Sequence, residues 1–227
     1  MTRSAAPISN LTQLSVSTEA ARLYDTWQGD YDRQLLVDCA YHSPMRLAEL
    51  VKASCKSMQF DAPWLDLGAG TGLIGRALAE AGVQLPLIAV DFSIPMLSQV
   101  TAEAYVACAR VDVLDPAQLS SLPACGALTL GLTEHIVDLG ALFSACAAAL
   151  PPDALLFFSY CPAGEDSEDE YCVFESFAGL LAHRRSHVAK TLARTAFTVL
   201  SEHDGPGYTT AGREIAHRLV VARRLKL

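Results

Sequence analysis

With 227 residues, 51% of them apolar and 19% charged, the chain can fill the core of a single α/β domain, which excludes extensive disorder. A formal net charge of −8, with no cationic run beyond Arg223-Arg224-Leu225-Lys226, argues against nucleic acid as a partner and favours a small molecule or short peptide. The seven cysteines are scattered without a Cys-x-x-Cys pair, and no signal-like or bilayer-length apolar run is present, so the expectation is a cytoplasmic protein with no disulfide frame, bound metal or membrane contact.

In chain order, residues 1–17 read as a flexible polar segment, and 18–58 as a helical cap to the single domain that fills the rest of the chain. Ala21, Tyr24 and Trp27 follow helical spacing, a Gly29-Asp30 break precedes a segment over 31–40, and Pro44 opens a third helix with Leu47, Leu50 and Val51 on one face. After Pro63 the rhythm changes. Strands are predicted over 64–67, 87–90, 106–113, 127–132 and 154–160, and helices over 73–81, 94–104 and 140–150. Strands apolar at every position are buried on both faces, which implies a doubly wound, Rossmann-like, mostly parallel sheet of seven strands. Residues 197–201 and 215–224, joined through Gly205-Pro206-Gly207, predict an antiparallel pair that closes it. The carboxylate-rich 165–170 reads as a solvated loop or helix start.

In such a sheet the ligand sits where the first strand turns into its helix. Here that turn is Leu65-Asp66-Leu67-Gly68-Ala69-Gly70-Thr71-Gly72. Its glycines let the backbone approach a ligand and present N–H groups to it. A dinucleotide fingerprint would require a third glycine where Leu73 stands, and Asp66 suits a cationic group better than a pyrophosphate. Asp91, closing the second strand, is placed to accept from both hydroxyls of a ribose, with Phe92 and Met96 walling an adenine. Asp112, closing the third, can accept from an adenine amino group while the Val113 backbone reads the ring edge. The plainer reading makes Asp91 and Asp112 strand-end caps.

That loop, Val90-Asp91-Phe92-Ser93-Ile94-Pro95-Met96-Leu97 and Val111-Asp112-Val113-Leu114 resemble the successive motifs of class I S-adenosylmethionine-dependent methyltransferases. The resemblance runs from about Leu23 to the C-terminus. Leu23-Tyr24-Asp25-Thr26-Trp27 through Tyr31-Asp32 is similar to the cap of the small-molecule members, the methyltransferase-like 27 group in particular. It implies S-adenosyl-L-methionine as cofactor, with Ala69 and Leu132 also in its shell. One departure stands out: relatives often carry a His pair followed by Asp after the fourth strand, where this chain reads Leu132-Thr133-Glu134-His135-Ile136-Val137-Asp138.

Methyl transfer is an in-line displacement that asks the protein mainly to align donor and acceptor and exclude water. A general base is needed only when the acceptor loses a proton; His135 leads for that role, and Glu134 is either its competitor or solvated. Tyr24, Trp27 and Tyr31 are candidates for an aromatic wall over the sulfonium, or simply the packed face of an amphipathic helix. Arg46 is a candidate partner for the cofactor or a substrate carboxylate, with an ordinary surface arginine as alternative. Tyr160 and Tyr171 are candidates for the substrate pocket, while His183, His187, His203 and His217 read as surface or packing residues. The motifs hold adenosine and leave the reacting carbon open. A cyclase or alkyltransferase releasing methylthioadenosine and a non-catalytic adenosylmethionine binder are therefore the rivals, with a nicotinamide-dependent oxidoreductase a weaker third.

Overall fold

Strands buried at every position need cover on both faces, and the chain supplies it from two sides. The computed structural model describes residues 31–56, 61–101, 103–164, 170–173, 180–210 and 212–226. The expected flexible segment and the first part of the cap, with Tyr24 and Trp27, lie outside the described residues, as do 165–169 of the acidic run. Strands β1 (Trp64–Leu67) and β2 (Leu87–Asp91) are buried throughout, as is β4 (Gly126–Thr129); β3 (Tyr105–Arg110) is an edge, and β5 (Leu155–Pro162) follows β4. These five pair in parallel in the order β3-β2-β1-β4-β5. Antiparallel β9 (Arg213–Arg224) then pairs with β5, and β8 (Phe197–Thr210) with β9.

Among the described residues the sheet has nine strands, not the seven expected. The additions are β6 (Tyr171–Val173) and β7 (Leu181–His183), a short antiparallel pair that continues from Cys161 and Pro162 at the end of β5. Three residues are too few to show a period of two.

The cap's described part begins with α1 (Tyr31–Arg33), which runs into a π-helical turn (Gln34–Asp38) and ends at Ala40, φ +47°; α2 (Ser43–Ser54) follows with Pro44 in its first turn. Helix α3 (Leu73–Glu80) follows the glycine loop. The helix expected over 94–104 is only α4 (Ile94–Leu97), which stops where the Ser98 hydroxyl donates to the Pro95 carbonyl, 2.7 Å away. Helix α5 (Pro116–Ser120) has an audible start in the sequence, since Asp115 caps the Ala117 and Gln118 N–H groups ahead of Pro116. Helices α6 (Leu139–Ala149) and α7 (Arg185–Arg194) complete the set. One face of the sheet packs Leu65, Leu67, Val90 and Phe158 against α6; the other packs Trp64, Leu87, Ala89 and Phe157 against α2 and α3. Among the described residues no helix is long and apolar enough to cross a membrane.

Gly205-Pro206-Gly207 is not the hairpin turn. Strand β8 runs straight through it, with a register shift between Pro206 and Tyr208, and the chain reverses around Gly212, φ +74°. Proline is tolerated because β8 is an outer strand. The glycines answer to close approach instead: a Cβ on Gly205 would lie 2.6 Å from the Arg46 guanidinium, and one on Gly207 2.6 Å from the His217 ring. Arg46 donates to the carbonyls of Pro206 (2.9 Å), His203 (3.1 Å) and His217 (3.3 Å). Main-chain bonds from His42 to Gly207 (2.8 Å) and from Thr209 to Cys39 (2.6 Å) complete the attachment of cap to hairpin.

The turn from β1 into α3 rests on one tyrosine. The Tyr105 hydroxyl accepts from the Gly75 N–H (3.0 Å) and donates to Asp66 Oδ2 (2.5 Å), beneath the glycine loop. A Cβ on Gly75 would meet the Tyr105 ring at 2.4 Å. Gly75→Val is therefore expected to cost about 1–3 kcal/mol in urea unfolding. Gly164→Ala, where a Cβ meets nothing within 4 Å, should change stability by less than about 0.5 kcal/mol. Arg46→Ala should lower the same unfolding free energy by about 1–3 kcal/mol, because it strips charged donors from three carbonyls.

Candidate functional site

Strand β1 lies between β2 and β4, so the connections leaving β1 and β4 diverge and open a crevice at their carboxyl ends. The glycine loop lies on its β1 side. Gly68, Gly70 and Gly72 all take left-handed backbone (φ +70°, +55° and +86°), which glycine adopts without steric penalty. The N–H groups of Gly68 and Ala69 both donate to the Val90 carbonyl (2.8 and 3.1 Å), binding the loop to β2. Asp91 finishes the job: its Oδ2 accepts from the Gly70 N–H (2.8 Å) and its Oδ1 from the Ser93 N–H (2.9 Å). A carboxylate retains further lone pairs after two such bonds.

Around this loop, Leu132 packs on Gly68, where a Cβ would lie 3.1 Å from its Cδ1, while Met96 is fully buried and Phe92 half-buried. Among the described residues, a Cβ on Gly70 would meet no atom within 4 Å, so the backbone there faces the crevice bare. Asp66 is buried with Oδ2 taken by Tyr105 and with Oδ1 unpartnered; burial raises its pKa to about 7, partly offset by the Tyr105 bond. Asp112 stands two residues past the end of β3 and not within it. It is exposed, and its Oδ1 accepts from the Leu114 N–H (2.9 Å), so the capping reading accounts for that oxygen; the Val113 side chain is buried in the core.

The cap is latched onto the loop by a residue the sequence reading passed over. Asp32 accepts from the Thr71 hydroxyl (2.5 Å) and pairs with Arg76, whose other amino group donates to the Thr71 carbonyl (2.7 Å). Next to it, burial pushes the Tyr31 phenol well above its usual range, and the carboxylates of Asp91, Asp32 and Glu134 add to the effect. Tyr31 thus stands in the field of both the loop's carboxylate and Glu134.

Glu134 is buried, not solvated, in a one-turn 3-10 helix (Thr133–His135) just after β4. Its Oε1 lies 3.5 Å from His217 Nε2 and 3.8 Å from Cys161 Sγ, and Thr133 Oγ1 is 3.4 Å from Oε2. On its far side, His217 Nδ1 meets the Ser43 hydroxyl at 2.9 Å. Tyr41 and Tyr208 close on His217 edge-on, with ring centroids 5.9 and 5.3 Å away. Burial raises the Glu134 pKa to about 7 against bonds that lower it, from its own backbone, Thr133, Cys161 and Ser159. Burial, with Arg46 adding, drops His217 to about 3, so its imidazole is neutral. Burial likewise drops His135 to about 4.

Several candidates fall elsewhere. Arg46 is committed to hairpin carbonyls and not to a cofactor or substrate carboxylate. Tyr160 points to the opposite face of β5, stacked with Phe158 and reached by Arg218 (3.3 Å), because side chains alternate along a strand. Its neighbours Ser159 and Cys161 take the site face, Ser159 Oγ accepting from the Gly131 N–H (3.0 Å). Tyr171 lies on β6 with its ring 6.1 Å from that of His183, a buried histidine whose Nε2 is 2.9 Å from the Thr133 carbonyl. Ser43, Tyr41, Cys161, Tyr208 and His217 were missed as site residues. Each is an unremarkable residue in its own segment, and only the fold brings them to Glu134.

Comparison with known proteins agrees with this geometry. Residues 41–200 match the family model described as a methyltransferase domain. A ubiquinone biosynthesis O-methyltransferase from a Bradyrhizobium species is 26% identical over 136 residues, covering 52% of this chain and 50% of that protein. The chain thus spans about half the length of the curated relatives it matches. Among solved structures, the 1,6-didemethyltoxoflavin-N1-methyltransferase of Burkholderia thailandensis, with bound S-adenosylhomocysteine, superposes with a TM-score of 0.62 at 20% identity, covering 100% of this chain and 93% of that one. The magnesium protoporphyrin IX methyltransferase of Synechocystis, with bound S-adenosylmethionine, gives 0.62 at 15% identity, covering 93% and 99%. With its residues 41–200 matched, the chain belongs to the methyltransferase-domain family.

Proposed function

We propose that this protein transfers a methyl group from S-adenosylmethionine to a small molecule. The observation that carries the reading is the glycine loop itself, bare at Gly70, tied to Asp91 at one end and latched by Asp32 of the cap at the other. S-adenosylmethionine supplies a methyl carbon already activated by a sulfonium, which leaves the protein to bind, orient and exclude water.

The donor set fits such a ligand. The Asp91 carboxylate, fixed beside the Gly70 amide at the end of β2, is the acceptor a ribose diol calls for. Leu132 and Met96 offer apolar surface for an adenine, and the unpartnered Asp66 Oδ1 sits under the loop as a buried acceptor. Tyr31 covers the loop between Asp91 and Glu134, where an aromatic face stabilises a cation. No phosphate is called for, and the carboxylates of Asp32, Asp66 and Asp91 would repel one. A small acceptor is supported by the net charge of −8 and by the small-molecule methyltransferases to which the chain is similar.

Calorimetry with S-adenosylhomocysteine should give a one-to-one complex, weakened about ten- to a hundredfold by Asp91→Ala, as expected for loss of charge-assisted bonds. Absence of binding by the wild-type chain would sink the reading. In a second measurement, nucleoside products are identified after incubation with S-adenosylmethionine and an extract of small metabolites. Adenosylhomocysteine is expected; methylthioadenosine in its place would mean that another carbon of the sulfonium reacts.

A further inference from the structure

Glu134 is a buried carboxylate held by neutral groups. It is 2% exposed, yet no Lys or Arg side chain pairs with it in the described structure. The groups facing it are Thr133 beside it, Ser159 and Cys161 from β5, Tyr31 and Tyr41 from the cap, Tyr208 from β8 and His217 from β9. All of these are uncharged near neutral pH. The nearest cation on the hairpin side, Arg46, is held by main-chain carbonyls and reaches no further than the back of His217. The short bond of the Thr133 hydroxyl goes to the Ser159 carbonyl (2.6 Å), and its approach to Glu134 is 3.4 Å. The bonds Glu134 receives, from its own backbone, Thr133, Ser159 and Cys161, all come from neutral groups; a buried carboxylate without a counter-charge costs stability, and function is the usual reason for such a group to be there.

Its surroundings also give it direction. His217 Nδ1 meets the Ser43 hydroxyl at 2.9 Å, and on the other side of the ring Nε2 lies 3.5 Å from Glu134 Oε1, which places the imidazole between Ser43 and the carboxylate. The carboxylate stands just past the carboxyl end of β4, where the crevice lies, and Tyr31 is in the field of both it and Asp91.

Resting on the methyl-transfer reading above, we propose that Glu134 takes a proton from the methyl acceptor, that His217 and Ser43 are positioning residues for it, and that the acceptor is an uncharged molecule bearing an acidic hydroxyl, a phenol or enol. In that step the acceptor oxygen bonds to the methyl carbon, the carbon–sulfur pair stays on sulfur, and the hydroxyl proton passes to the Glu134 carboxylate. A negative carboxylate, a neutral alcohol and a sulfonium become a neutral acid, an ether and a thioether, so charge balances. The acceptor class follows from the same surroundings. Asp91 and Glu134 repel an anion, and Glu134 would hold an ammonium in its protonated, non-nucleophilic form. A hydroxyl near the tyrosine value of about 10 lies within reach of a base near 7, whereas an alkyl alcohol does not.

The test is carbon-13 NMR of the full chain labelled at glutamate Cδ, followed from pH 4 to 9. One carboxyl should titrate near pH 7, disappear in Glu134→Gln, and move by half a unit or more in His217→Asn and in Ser43→Ala. In parallel, label from S-adenosylmethionine should enter phenols or enols in a panel that also holds amines and thiols, at a rate cut at least about a hundredfold in Glu134→Gln. A Glu134 carboxyl titrating below pH 5, a Glu134→Gln rate within threefold of wild type, transfer to amines alone, or one equivalent of zinc in the purified chain would each overturn the proposal. Each could occur with adenosylhomocysteine binding intact, so this proposal can fail while the methyl-transfer reading stands.

Discussion

A strand that must become a helix within five residues, and leave room for a ligand while doing so, needs backbone that side chains do not allow. Everything at this site follows from meeting that constraint at Gly68, Gly70 and Gly72. Left-handed glycines are conformationally loose in the unfolded chain and carry no side chains to pin the loop once folded. The pinning comes from outside: Val90 and Asp91 on the neighbouring strand, Tyr105 from the edge strand beneath, and Asp32 from the cap above. Tyr105 serves two ends at once, filling the space that Gly75 leaves and joining the start of α3 to Asp66 on β1.

The acceptor side is built on a different principle. No loop there is special in its backbone; the chemistry is assembled from side chains that meet over the end of the sheet. The long β8–β9 hairpin brings His217 and Tyr208, the cap brings Ser43 and Tyr41, and the end of β5 brings Cys161. Glu134 is where they converge. The glycine loop with Asp91 is thus one unit, local in the chain, and the cluster around Glu134 is another, drawn from distant segments.

That division explains what the sequence could show. The loop and Asp91 are local: a short motif and one strand end carry them, so their position at the turn out of β1 was legible. Strand parity was not. Residues 155–160 are buried at every position, so nothing in hydropathy told Tyr160 from Ser159, and the tyrosine was put on the wrong face. Arg46 misled for a related reason, since its carbonyl partners carry no side-chain signature. Gly205-Pro206-Gly207 has the composition of a turn, yet its glycines are there to let Arg46 and His217 approach. His217 and Ser43, 174 residues apart, gave no signal at all, because their meeting depends on the register of the hairpin.

The two attachments of the cap are unlike in kind. Toward the hairpin, main-chain bonds at Cys39–Thr209 and His42–Gly207 join it as one strand joins another. Toward the glycine loop, the described link is side chains alone, Asp32 with Thr71 and Arg76. The first edge parts only if backbone pairing breaks; the second parts by rotation about side-chain bonds. At Asp32 the segment 31–42 can therefore part from the loop without breaking backbone pairing, while α2 stays packed in the core, and that contact sits on the residues that would feel a bound cofactor first.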